Sequence, residues 1–236
     1  TEQNILQGIE LVKRSSGRWL ISDMFPYVQE YVTLLKNSSL AKEVEAAGSF
    51  RRMQETVGDI DILATSNNPQ KFTEFFLAEI KHTKIWDKGP TKVSVRTQHG
   101  FDVDLRVLPE ETFGAGLQYF TGSKEHNVKL RTLAIEKGYK VSEYGVFSAK
   151  GGGKKRVACK TEEEVYRALG LPYIEPELRE DTGEIEAALR LAPLTQGLPT
   201  LIPYDSLKGD LQVQTDWTDG EHSIEDMAKE AKRQGL

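Results

Sequence analysis

The sequence predicts an α+β protein, a mixed β-sheet flanked by helices, with a helical segment before it and a small α/β unit after it. Three observations carry this. Apolar residues recur at helical spacing as far as about Lys36. The period then drops to two in "DIDILAT" (59–65), "KVSVRT" (92–97) and "FDVDLRVL" (101–108). Among these stretches "PQKFTEFFLAEI" (69–80) returns to an amphipathic helix, so the alternating segments form a sheet with a helix laid on it.

The elements follow in order. From Asn4, the residues Ile5, Ile9 and Val12, and then Trp19, Met24, Val28, Val32 and Leu35, mark helices broken by the turn "SSG" at 15–17. The sheet occupies about Ala47 to Leu108. From Pro109 to about Asp181 come "TGSKEHNVKLRTLAIEKG", a helix ending at Gly138, then short strands, then the helix "TEEEVYRALG" with Thr161 as N-cap and Gly170 past its end. After one helical turn, Thr182 to Lys208 reads as a linker, because "LAPLTQGLPTLIP" is rich in proline and glycine.

Composition bounds the function. The chain has 236 residues, 38% hydrophobic and 28% charged, enough for a sizeable core of one or two domains. No apolar run reaches the length of about 18 residues that a membrane span needs, and no leader is expected. The lone Cys159 excludes an internal disulfide and fits a cytoplasmic location. A net charge of −5 argues against a generally basic nucleic-acid surface, but charge is local here: "AKGGGKKRVACK" (149–160) is wholly basic and "EPELREDTGEIE" (175–186) strongly acidic. The basic run reads either as a solvated hairpin tip or as a phosphate contact.

The chemistry concentrates in "GSFRRMQETVGDIDIL" (48–63). Residues two apart on a strand share a face, so Asp59 and Asp61 project together while Ile60 and Ile62 enter the core. Two adjacent carboxylates repel, and a divalent cation between them relieves the repulsion. An oxygen-only ligand set suits Mg²⁺ or Mn²⁺ and is wrong for zinc. Asp104 in "FDVDLRV", with Asp102 on the same face, offers the third carboxylate. The alternative is that these are solvated residues of an edge strand. Before them, a turn at Gly48-Ser49 brings backbone N–H groups and a hydroxyl close to an anion, Arg52 adds a fork of donors, and Gly58 lets the chain pass near a ligand. Phosphate on one side and metal on the other is the layout of phosphoryl transfer.

"GSFRR", "GDIDIL", "DVDLRV" and "YFTGSKEHNVKLR", in that order, resemble the family X DNA polymerases, most closely the bacterial and archaeal branch, from about Arg18 to Arg179. The resemblance implies a nucleotidyltransferase palm and a templated DNA polymerase that fills short gaps in repair by two-metal phosphoryl transfer. It implies that Asp59, Asp61 and Asp104 are catalytic metal ligands for two Mg²⁺ ions, with Mn²⁺ as the alternative ion. Gly48, Ser49, Arg52 and Gly58 would hold the β- and γ-phosphates, and Arg18 a further phosphate contact. Tyr119 and Phe120 would lie against the deoxyribose, the Gly122–Ser123 bond would be cis, Asn127 would meet the incoming base and Arg131 the template strand. Without the resemblance, Asn127 and Arg131 read as surface polar residues on one helical face. The implied divisions are 1–17, the end of a helical DNA-binding subdomain; 18–109, the palm; 110–182, a nucleotide-binding subdomain; 183–208, a linker; and 209–236, the start of a PHP phosphoesterase domain. The implied partners are primer-template or gapped DNA and a dNTP, with the chain a monomer.

Two departures qualify this. Asp102 stands where polymerase beta has an arginine that organises the neighbouring aspartate. "GDLQVQTDWTDGEHSIEDMA" resembles the opening of the PHP domain, but Gln212 and Gln214 replace its His-x-His ligands, which cripples that site. Because the chain opens on Thr1 it reads as part of a longer protein, and the lyase subdomain that would precede it, with its lyase activity, is not expected of these residues. The competing readings are a template-independent nucleotidyltransferase on the same palm, a non-catalytic DNA-binding scaffold and, more distantly, a phosphoesterase.

Overall fold

The computed structural model describes residues 17–149, 155–190, 198–203, 206 and 208–236. The helix read from Asn4, the centre of the basic run and much of the proline-rich stretch lie outside the described residues. Two compact units divide at Leu198 and Pro199.

The first unit is built on a five-stranded mixed sheet. Its strands are β2 (Glu43–Ala46), β4 (Asp59–Thr65), β5 (His82–Lys88), β6 (Lys92–Thr97) and β7 (Asp102–Leu108), in the order β2-β4-β7-β6-β5. A two-residue pairing of β1 (Trp19–Leu20) with β3 (Thr56–Val57) stands beside it. Only β4 and β7 run parallel. Helix α1 (Ile21–Lys36) buries Met24, Val28, Tyr31 and Leu35, and α3 (Pro69–Glu79) buries Phe72 and Phe76, both in the core that contains Ile60, Ile62, Val103 and Leu105. The spacing that predicted both helices is the spacing of these contacts.

A second core gathers helices α4 (Phe113–Thr121), α5 (Lys124–Glu136), α6 (Glu162–Ala168) and α7 (Glu184–Arg190) around a three-stranded antiparallel sheet of β8 (Tyr139–Ser142), β9 (Gly145–Ser148) and β10 (Arg156–Ala158). The predicted caps hold: Thr161 accepts from the Glu164 N–H, and Gly138 and Gly170 follow their helices at positive φ.

Five elements depart from the sequence reading. The Gly48-Ser49 turn is the start of a one-turn helix, α2 (Gly48–Arg51). Helix α4 escaped notice because Gly114 and Gly116 depress helix propensity. Gly114 is there for space: a Cβ would stand 2.3 Å from the Thr161 Cα. Strands β2 and β5 are outer strands, the first only four residues long and the second exposed along most of its length, and their partners rather than their own pattern define them. Helix α7 runs two turns, not one, and buries Ile185 and Ala188, so it is packed structure where a linker was expected.

The second unit contains helix α8 (Ile224–Gln234), capped by Ser223, which accepts from the Asp226 N–H, and by Gly235 in the left-handed region. No strand forms around Gln212 and Gln214, and both residues are exposed.

Candidate active site

Parallel pairing assembles the acidic centre. In the β4–β7 register Asp61 lies opposite Asp104, and Asp59 opposite Asp102. The intervening residues Ile60, Ile62, Val103 and Leu105 are fully buried, which turns the aspartates to the other face. Carboxylate oxygens of Asp59, Asp61 and Asp104 all fall within 4.8 Å of one another. Withdrawal from water, then Asp59 and Asp104, push the Asp61 carboxyl up to about 7. Asp59 is raised too, by burial first and then by Asp104 and Asp102. A cluster of oxygen donors that resists ionising fits a hard divalent cation, which would supply the missing positive charge.

Asp102 shares the face but not the cluster. The Arg96 Nε and Nη2 donate to its two oxygens at 2.5 and 2.8 Å, and the Trp86 Nε1 donates to it at 2.9 Å. Its pKa is accordingly held below the usual carboxylate range, chiefly by Arg96.

Opposite the acids, a cleft of about 390 Å³ is walled by Gly48, Ser49, Arg52, Asp59, Asp61, Tyr119, Phe120, Gly122, Lys124, Asn127 and Arg131. Apart from the two aspartates, its wall comes from α2, α4, α5 and the residues directly after α2 and α4. Gly48, at φ +59°, is obligatory, because a Cβ would sit 2.2 Å from the Asp61 Oδ2. The Gly122–Ser123 bond is cis.

Arg52 is less free than its sequence context suggested. Its Nε donates to the Glu180 carboxylate at 2.5 Å and its Nη1 to the Thr121 carbonyl at 2.6 Å, so part of the expected fork is already engaged. Arg18 and Gly58 stand outside the cleft wall. The Arg18 side chain is anchored on Thr56, at 2.9 Å to Oγ1 and 2.6 Å to the carbonyl, where its charge favours ionised Asp59. Gly58 packs next to it, with a Cβ position 3.5 Å from the Arg18 Nη1.

Sequence reasoning missed several members. Lys124 adds a cation to the cleft; its place directly after "TGS" was the available signal. Arg106, three residues into the face already flagged by Asp102 and Asp104, counters the charge of Asp61 and lies 4.5 Å from the Phe120 ring centre. Glu162 holds α2 in place through Arg51 at 2.6 and 2.9 Å and is also bound by the buried Arg179 at 2.6 Å. Nothing in "TEEEVYRALG" distinguishes that glutamate from its exposed neighbours.

Residues 116–180 match the DNA polymerase beta thumb family. Over its whole length the chain is 34% identical to the DNA polymerase/3′-5′ exonuclease PolX of Bacillus subtilis (strain 168), covering 40% of that protein. It is 32% identical to DNA polymerase lambda of Rattus norvegicus across 57% of the chain and 28% of the relative. With DNA polymerase lambda of Arabidopsis thaliana the identity is 28%, across 58% of the chain and 31% of the relative. The chain thus spans less than half the length of each of these relatives.

Proposed function

We propose that the chain is a family X DNA polymerase that adds dNMP units from dNTPs to a primer 3′-hydroxyl on gapped DNA, in short-gap repair. The observation that carries the reading is the convergence of Asp59, Asp61 and Asp104 on one side of a cleft whose other side presents Ser49, Arg52 and Lys124.

In this reading Asp59, Asp61 and Asp104 hold two Mg²⁺ ions. Bound there, divalent ions supply Lewis-acid chemistry, acidifying the primer hydroxyl and offsetting charge on the triphosphate. The rest is the work of the chain. Ser49 and the backbone N–H groups beside it bind the β- and γ-phosphate oxygens, together with the Arg52 Nη2, the nitrogen that Glu180 and Thr121 do not engage. Gly48 keeps that cradle in contact with Asp61. Tyr119 and Phe120 pack on the sugar, and the backbone at Tyr119 obstructs a ribose 2′-hydroxyl. Asn127 meets the incoming base, and Arg131, one turn further along α5, the templating strand. Arg18 steadies Asp59 in its ionised form and lies at the edge of the triphosphate.

The test is extension of a labelled primer on single-nucleotide-gapped DNA, with each dNTP and Mg²⁺ or Mn²⁺, against the same primer without template. Incorporation of the matched nucleotide, absent in Asp104→Ala, is expected. Equal extension with and without template would favour a template-independent transferase, and silence with both ions would overturn the reading.

A further inference from the structure

We propose that Gln118, which takes no part in the cleft wall, is the positioning residue that makes Asn127 a pure hydrogen-bond donor, so that the site accepts bases bearing an acceptor on the edge they turn toward it. The inference rests on the polymerase reading above and deepens it.

The argument is one of donors and acceptors. Asn127 is 9% exposed, lines the cleft, and places its Nδ2 2.7 Å from the Tyr119 carbonyl oxygen. A carbonyl only accepts, so Nδ2 must face it and the Asn127 Oδ1 must face the other way. There it meets the Gln118 Nε2 at 2.8 Å. Reversing either amide would set oxygen against oxygen. The orientation has a visible consequence: the Gln118 Oε1 is buried with no hydrogen-bond partner among the described residues. The fold leaves that oxygen unpartnered and keeps the N–H directed at Asn127.

Gln118 is itself held. It is 1% exposed, and its amide lies near enough to the Tyr166 hydroxyl to favour the ionised phenol. That hydroxyl lies 3.0 Å from the His126 Nε2, and the His126 Nδ1 lies 2.6 Å from Glu184. Glu184 also accepts from the Asp181 and Thr182 N–H groups at the start of α7. A buried chain of polar groups thus runs from the α7 end of the second core to the cleft.

With its Oδ1 occupied by Gln118 and one hydrogen given to Tyr119, Asn127 has its second Nδ2 hydrogen left for a ligand. Adenine N3 and thymine O2 are acceptors on the minor-groove edge, and the corresponding positions of guanine and cytosine accept as well. Such a contact is indifferent to which base arrives and strict about whether the edge carries an acceptor.

The test compares incorporation, opposite template thymine, of dATP and of 3-deaza-2′-deoxyadenosine triphosphate, in which a C–H replaces the N3 acceptor. Wild type should favour dATP in kcat/KM by about 10- to 100-fold. In Gln118→Leu the preference should collapse to within about threefold, because an unanchored Asn127 no longer holds its donor in place. Gln118→Glu should keep the preference at low pH, where the protonated carboxyl can donate to Asn127, and lose it as the carboxylate forms; wild-type preference should stay flat over the same range. A merely structural role would slow both substrates alike. Thermal unfolding checks each variant, and Gln118→Met replaces leucine if that variant fails to fold. An undiminished preference in folded Gln118→Leu or Gln118→Met, or no preference in wild type, overturns the inference. A wild-type chain inert toward dATP itself sinks the polymerase reading, and this inference with it.

Discussion

Asp61 and Glu162 are carboxylates withdrawn from water in the same unit, and their surroundings differ in kind. Asp61 faces Asp104 across a parallel strand pair and Asp59 two residues back on its own strand. Glu162 is gripped by Arg51 and by the fully buried Arg179, and it takes a further hydrogen bond from the Tyr173 hydroxyl. Burial is the largest influence on both and pushes both upward. At Asp61 the neighbouring acids add to it, and the carboxyl rises to about 7. At Glu162 the arginines outweigh it, and the pKa ends below the ordinary range. The fold completes one site from its own side chains and leaves the other short of positive charge. The first is architecture; the second is shaped for ions from solution.

The comparison breaks most sharply in activity. Asp61→Asn or Asp104→Ala should lower primer extension by about 10³-fold or more, since each removes an anionic ligand on which the Lewis-acid step depends. Neither should unfold the chain, because removing one of three mutually repelling carboxylates relieves strain. Near wild-type extension by either variant, measured beside a thermal melt, would defeat the assignment of the acidic cluster.

The reverse pattern is expected of Glu162→Gln. Arg179 is 0% exposed, and its Nη2 already lacks a hydrogen-bond partner among the described residues. Removing the charge it faces should cost about 3–5 kcal/mol of stability, the usual penalty for a buried ion pair broken on one side. Denaturant unfolding measures this. A loss under about 1 kcal/mol would mean that water reaches the pair.

The two carboxylates also predict a pH dependence for metal-free protein. Asp61 titrates at about 7 in the folded chain against an ordinary value of 3.8. Between those values the folded state keeps a proton that the unfolded state has released, so stability falls as pH rises from about 4 to about 7 and levels off above. In EDTA the Tm should drop by a few degrees over that interval. Millimolar Mg²⁺ should restore it at pH 8, and Asp61→Asn should shrink both effects, leaving the smaller part that Asp59 contributes. A Tm that ignores Mg²⁺ at pH 8 would argue against a cation site.

What could be read from the sequence divides along the same line. Asp59 and Asp61 were legible because a strand's two-residue period is local, and Asp104 because its own strand repeats the pattern. That Asp61 would lie opposite Asp104 depends on register, which no single strand encodes. Gly48 and Ser49 were legible as a turn close to the aspartates but not as a helix start. Glu162, Arg179, His126 and Gln118 were not legible, since each owes its burial to partners on other elements rather than to its own local pattern. Helix α4 was obscured by glycines that make room for close neighbours, residues 160 and 161 at Gly114 and Leu108 at Gly116. Local period reveals which residues share a face; it is silent on what that face meets.

The smallest expected effect sharpens the comparison by changing one variable. Lys129 joins two carboxylates, Asp181 at 2.6 Å and Glu186 at 2.5 Å, so its distances match those around Glu162 with the signs exchanged. Here the side chains are 34–44% exposed, against 0–21% for Arg51, Glu162 and Arg179. Water and salt screen the exposed pairs and replace them when they are lost. Lys129→Met should therefore cost less than about 1 kcal/mol, and the loss should shrink further in 1 M NaCl. The Glu162→Gln loss should be almost insensitive to salt. Equal salt dependence in the two variants would show that distance rather than exclusion of water sets the strength of these networks.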